Sequence, residues 1–262
     1  MTKQNSEATV EATKKAAATL ANLFELWSST IYTTMHNINS ANQASFQSQI
    51  EAVLRSNKEF IAFNVFSKKR NEKSKQVAVS FTPYADGPIF ESIDPTEAKN
   101  EILKLNQSLA DLKGQPKTEP EITNLKKQIG LDAVQIKIEF QIKNSETKYI
   151  AFLVVSAERI RNLTEQKSNE ESFIVTQDGT IFMSALRSKR KLGSPYGSKA
   201  LTQVASQSVP TALTSTTDSS GIPQLEAAML VPKTELAFVF QKNAGKEYEQ
   251  IRWQIRQIAI VS

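Results

Sequence analysis

Two stretches of this chain carry the same pattern in the same order, and that repetition limits the folds open to it. Along 134–142, apolar side chains alternate at Val134, Ile136, Ile138, Phe140 and Ile142; a polar turn follows, and 149–155 is a near-continuous apolar run. Along 225–240 the order recurs: Leu225, Ala227, Met229 and Val231 alternate, Pro232-Lys233-Thr234 turns, and an apolar run closes at Phe240. Alternation marks a strand with one buried face, and a short continuous run marks a strand buried on both. Each pair has a helix-like tail and, some distance upstream, another strand-turn-strand: 60–66 with 77–81, and 173–175 with 181–183. In the last of these, Gln177-Asp178-Gly179 supplies the turn, and Asp-Gly between apolar runs is a strong hairpin signal. The repetition predicts two tandem copies of one α/β module.

A long helix precedes them. Residues 6–56 hold neither proline nor glycine, and alanines at 8, 12, 16, 17 and 18 favour helix. Leu20, Phe24, Trp27, Ile31, Met35 and Ile38 are spaced by 4, 3, 4, 4 and 3, a stripe on one helical face. About 50 residues of helix would extend about 75 Å. That length implies a spine for several units, a dimer seam, or both.

Between the hairpins the first copy reads as a loop over 83–94 and a helix from Asp94-Pro95, with Asp94 as N-cap and Ile102, Leu105, Leu109 and Leu112 as its stripe. A second helix is expected over 120–129, closed by Gly130, with Glu121, Lys126 and Lys127 facing water. Residues 157–166 read as helix, and 167–171 as a polar joint. In the second copy a loop with Gly193, Pro195 and Gly197 leads to a helix around 198–208. A Ser/Thr-rich tip over 211–220 and a helix from Gly245 to the end complete the pattern. The fold class is α+β: a long N-terminal helix, then two modules, each one antiparallel sheet flanked by helices. Their expected bounds are 1–57 for the helix, 58–166 and 167–262 for the modules.

Composition narrows the chemistry. The chain has 262 residues, no cysteine and one histidine, His36, so disulfides, thiolate zinc sites and His-based triads lack material. No cofactor and no metal are expected. The net charge is +5, partly in Lys68-Lys69-Arg70 and the 187–191 run, without interleaved aromatics or a reading motif. Nucleic acid is therefore not an expected partner. Residues 1–8 are polar and no stretch reaches the roughly 18 apolar residues of a membrane span. The apolar pattern of Ile255, Ile258, Ala259, Ile260 and Val261 runs to the last residues. It reads as the start of a continuing hydrophobic segment, and the chain as a stretch between two membrane spans.

The order of elements resembles the double Cache family, a long helix carrying two PAS-like modules. Three stretches carry the resemblance: FIAFNVFSKKRNEKSKQVAVSFTPY (60–84), KYIAFLVVSAERIRNL (148–163) and FIVTQDGTIFMSA (173–185). They look like the opening hairpin of the membrane-distal module, its closing strand with the exit helix, and the opening of the membrane-proximal module. The resemblance implies a periplasmic or extracellular ligand-sensing region of an inner-membrane receptor, with a cyclase, kinase or chemoreceptor output elsewhere. It implies no catalysis, a small-molecule ligand, and tethering to the membrane; the helix seam adds a homodimer. The family's amino-acid sensors carry a Tyr, Arg, Trp and Asp constellation in the distal pocket. It is not found in this chain, whose tryptophans, Trp27 and Trp253, fall in helical stretches outside the sheets.

Candidate ligand-binding residues follow from position. Ser80, Thr82 and Tyr84 end a strand and enter a loop, where polar groups converge on small ligands in many pockets. Arg187 and Tyr196 flank the Gly-containing loop of the second module, where a guanidinium would clamp a carboxylate. Asp178 reads as a turn residue. Gln135, Lys137 and Glu139 alternate on the polar side of their strand and read as solvent-facing, unless a pocket on that face uses them. A ligand-free scaffold that holds a partner protein is the rival function, and an enzyme with an unfamiliar site the third.

Overall fold

The computed structural model describes residues 3–36, 43–69, 72–82, 94–112, 119–141, 147–165, 170–185, 188, 190–206, 209–217 and 223–244. The chain divides into two compact units, Asn22–Arg159 and a second made of Met1–Ala21 with Ile160–Ser262.

The N-terminal helical region is two helices, α1 (Lys3–His36) and α2 (Gln43–Ser56). Residues 37–42, and with them Ile38 of the stripe, lie outside the described residues. Leu20, Phe24, Trp27, Ile31 and Met35 are each at most 4% exposed within the single chain. The stripe therefore forms core, and its side chains leave no surface for a dimer seam.

In the first unit, β1 (Phe60–Lys68), β2 (Lys75–Phe81), β3 (Glu121–Asn124), β4 (Ala133–Gln141) and β5 (Lys148–Ser156) form one antiparallel sheet in the order β2-β1-β5-β4-β3. Helix α3 (Pro95–Asp111) starts as its sequence predicts: the Asp94 carboxylate accepts from the amides of Thr96 and Glu97 at 2.8 and 3.1 Å, with Pro95 at the first position. Its buried stripe is Ala98, Ile102, Asn106 and Ala110, rotated from the leucine stripe read in the sequence. Leu105 and Leu109 are half-buried and Leu112 is exposed. The stretch 120–129 is a helix only in its second half, α4 (Leu125–Ile129). Its first half is β3, where β-branched Ile122 and Thr123 pair with Ile136 and Gln135. The Asn124 side chain caps α4 by accepting from the Lys126 amide at 2.9 Å, and Gly130 ends it at φ 75°. After β5 comes α5 (Glu158–Thr164).

The second unit repeats the design. Strands β6 (Glu170–Thr176), β7 (Ile181–Ser184), β8 (Thr211–Thr217), β9 (Pro223–Leu230) and β10 (Leu236–Asn243) form an antiparallel sheet in the order β7-β6-β10-β9-β8, with α6 (Lys199–Ala205) between β7 and β8. The two orders match strand for strand. Glu170 and Glu171, read as part of a polar joint, are strand residues. Thr211–Thr217, read as part of a tip, is an edge strand, since runs of threonine suit an extended chain beside a partner strand. The predicted turn is present: Gly179 has φ 83°, and the Asp178 carboxylate accepts from the Thr180 amide at 3.2 Å and from the Thr176 hydroxyl. The helix expected from Gly245 onward lies outside the described residues.

Candidate functional site

The first sheet is covered on one face by α3. Ala98 and Ile102 share a core cluster with Ala62, Ala133 and Val154, and Ala110 shares one with Phe66, Ile150 and Phe152. Strand alternation then fixes which residues point the same way. Asn64 stands beside Phe152, Phe152 beside Lys137, and Lys137 beside Glu121. One row along, Ala62, Val154, Gln135 and Thr123 are neighbours. On the helix, Asn106 lies one turn from Ile102 and one from Ala110, so it covers the row of Asn64 and Phe152. Asn64 and Lys137 are two strands apart, about 9–10 Å, the span of a small metabolite.

Asn64 and Asn106 are 0% exposed and Gln135 is 1% exposed. The side-chain oxygen and nitrogen of all three are buried without a hydrogen-bond partner. Leaving one buried amide group unpaired costs about 1–3 kcal/mol, and native interiors rarely tolerate it. Three such amides on facing surfaces of one helix and one sheet form donors and acceptors that await a partner.

The charges on the same face are already matched. Lys137 Nζ lies 2.9 Å from Glu139 Oε1 and 3.1 Å from Glu121 Oε2, and Lys148 pairs with Glu139. Burial pulls Lys137 down, but the two carboxylates outweigh it and hold the ammonium above its ordinary value. Burial pushes Glu139 up, and hydrogen bonds from Lys148 and Lys137 outweigh it and hold the carboxyl below its ordinary value. Two cations meet two carboxylates, so the free recognition groups are neutral amides. Gln135 and Lys137, read as solvent-facing, are buried on the face of the sheet that also carries Asn64 and Phe152.

No family model matches the chain, and no curated protein matches it. Solved structures do. The extracellular domain of soHK1S-Z6, assigned as a histidine kinase, is 12% identical with a TM-score of 0.58 over 95% of this chain and 97% of that one. The ligand-binding domain of the Pseudomonas aeruginosa amino acid chemoreceptor PctB, in complex with L-Arg, is 13% identical with a TM-score of 0.57 over 94% and 98%. That of the Pseudomonas fluorescens chemoreceptor CtaA, in complex with L-isoleucine, is 14% identical with a TM-score of 0.58 over 94% of each chain. The fold is that of the double Cache sensor domains.

Within this double Cache fold the residues singled out from sequence fall in different places. Ser80 is buried on β2, but it pairs with Phe63, one position from Asn64, so it faces away from the amides. Thr82 is buried just past the end of β2, where its amide donates to the Ile61 carbonyl at 2.8 Å. Tyr84 and Arg187 lie outside the described residues. Tyr196 does meet a carboxylate, that of Glu226 in its own chain, and the arginine beside it is Arg190. Trp27 is buried on α1 and donates to Glu59 at 3.3 Å, away from the amide face.

The amides had a signal in the sequence. Asn64 interrupts an otherwise apolar strand, FIAFNVF, and Asn106 sits where the i, i+4 stripe of Ala98, Ile102 and Ala110 calls for an apolar residue. A polar group at an apolar position of a regular pattern is informative in the way an exposed one is not. Among the described residues, no cluster of His, Cys, Asp and Glu is placed to hold a metal, and no helix is long and apolar enough to cross a membrane.

Proposed function

We propose that the chain is the extracytoplasmic ligand-sensing region of a transmembrane signalling receptor, and that its ligand binds the first module between α3 and the sheet. The carrying observation is the set of unpartnered buried amides, Asn64, Asn106 and Gln135. They call for a small polar molecule, neutral or zwitterionic, that offers both donors and acceptors. The fold shared with sensor domains of histidine kinases and chemoreceptors supports a sensing role, and amino acids belong in any first panel. The module bounds follow the sequence reading, 58–166 and 167–262.

A ligand held by Asn106 on one side and by Asn64 and Gln135 on the other favours one seating of α3 on the sheet. It can bias that equilibrium only by its difference in affinity for the two seatings. The shift has a route to the ends of the module at Glu59, just ahead of β1. Its carboxylate accepts from Trp27 of the entry helix at 3.3 Å and from Arg159 at the start of the exit helix at 3.2 Å. Dimerisation through α1 would use the face that carries Leu26, 53% exposed, because the Leu20 to Met35 stripe is buried.

The test is a thermal-shift screen of the chain against amino acids, carboxylates, amines, purines and sugars, followed by titration calorimetry of the hit. Ligand at 100 times its Kd adds about 2.7 kcal/mol, a rise of several degrees. The reading requires that Asn64→Leu and Asn106→Leu each abolish that rise. Silence across the panel, or an equal rise in both variants, counts against the site and favours a module that binds a partner protein.

A further inference from the structure

We propose a second ligand site in the second module, where Glu226 receives the ammonium group of a small organic amine. The site is independent of the amide pocket, since it lies on the other sheet and shares no residue with it.

Glu226 on β9 is 1% exposed. Its register neighbours are Thr214 on β8 and Gln241 on β10, and Gln241 stands beside Glu171 on β6. Loop and helix cover this row. Tyr196 packs edge-on against Phe173 with ring centroids 4.7 Å apart, and Arg190 lies 4.4 Å over Phe173 and 4.8 Å over Tyr196. The two oxygens of Glu226 are treated unequally. Oε2 accepts from Gln241 Nε2 at 2.7 Å and from the Tyr196 hydroxyl. Oε1 is buried and has no partner, and neither has the buried hydroxyl of Thr214 on the adjacent strand.

Charge decides what fits there. Arg190 is committed elsewhere: its Nε donates to Glu171 Oε2 at 3.0 Å and its Nη2 to Gln241 Oε1 at 2.5 Å. Burial, and then the Glu226 carboxylate, push the Tyr196 phenol well above its ordinary value, so it serves as a neutral donor. Among the described residues no lysine or arginine forms an ion pair with Glu226, so one cation faces two carboxylates in this row. A buried carboxylate without a cation is costly. A primary ammonium supplies the missing charge, one N–H for Oε1 and another for the Thr214 hydroxyl. A divalent metal is a poor fit, because a single free carboxylate oxygen and one hydroxyl give too few hard ligands.

The experiment is titration calorimetry of ethylamine, ethanolamine and putrescine into the chain, with ethanol, ethylene glycol and 1,4-butanediol as uncharged controls. Saturable binding of at least one amine is expected, with no binding of its alcohol counterpart. Glu226→Gln should weaken it tenfold or more, and Thr214→Val severalfold, a readout that stands if Glu226→Gln fails to fold. Asn106→Leu should leave it unchanged, which separates this site from the amide pocket. Absence of binding by all three amines overturns the proposal, as does equal binding of amine and alcohol. So does undiminished binding to a folded Glu226→Gln or to Thr214→Val.

Discussion

The two sheets have one topology and opposite interiors. In the first, a 17-residue helix packs on the β1 side of the sheet and brings Asn106 to the row of Asn64 and Phe152, and the amides there pair with nothing. In the second, the helix is 7 residues, and the chain from Arg190 to Tyr196 covers the matching row instead. Tyr196 and Gln241 then both donate to one oxygen of the Glu226 carboxylate below and leave the other without a partner, while Arg190 is held by Glu171 and Gln241. Under the regular helix the amides keep their donors and acceptors unpaired, whereas an aromatic and an arginine on the loop before the short helix pair with most of the polar groups below them. The difference predicts that the same kind of change has opposite consequences in the two modules.

The largest effect is expected from Tyr196→Ala. It removes a half-buried ring from Phe173 and a donor from Glu226, and should cost about 3–5 kcal/mol in urea denaturation. A cost under about 1 kcal/mol would mean that the second interior is not filled by this side chain. Gly179→Ala is next. A Cβ there would stand 2.6 Å from the Tyr196 carbonyl oxygen, and the positive φ disfavours any side chain. A loss of about 2–3 kcal/mol is expected from strain and clash together. In the first module the sign reverses. Asn106→Leu should stabilise the ligand-free chain by about 1–3 kcal/mol, because it replaces a buried unpaired amide with an apolar group of similar shape.

The smallest effect belongs to the ion cluster. Glu139 is held below 4.5, so its contribution is present above that pH and is lost as acid carries the folded protein through its depressed pKa. Lys137 is held above 10.5, so its contribution is complete below that pH and is lost as alkali passes the raised pKa. Thermal midpoints measured from pH 3 to 11 should fall at both ends. Lys137→Met should lower the plateau by about 1–2 kcal/mol and remove its share of the alkaline fall.

Much of this fold is legible because its strands obey simple periods. The four paired runs, the Asp-Gly turn and the Asp94 cap are all local signals, and each is where the sequence puts it. The fifth strand of each sheet was not legible. Thr211–Thr217 is polar and the Ile122-Thr123 pair is short, so edge pairing and not hydrophobic burial makes them strands. The amide cluster was harder, since a strand pattern cannot reveal that the fold will bury its polar side. Gln135 therefore read as wet, and Asn106 was masked by three nearby leucines whose stripe is not the buried one. Tyr196 could be singled out, but its partner, Glu226, is brought to it by sheet register across 30 residues of chain.

The central claim is the proposal that the buried amides of the first module await a ligand, whereas the second module pairs most of its matching polar row from its own side chains and leaves only Glu226 Oε1 and the Thr214 hydroxyl open. The direct measurement is thermal unfolding of the wild type and of the Asn64→Leu/Asn106→Leu double variant, each with and without the strongest hit from the screen. The account predicts a double variant that is more stable than the wild type without ligand and unmoved by it. A double variant that is less stable without ligand, or that gains as much from it as the wild type, would contradict the claim.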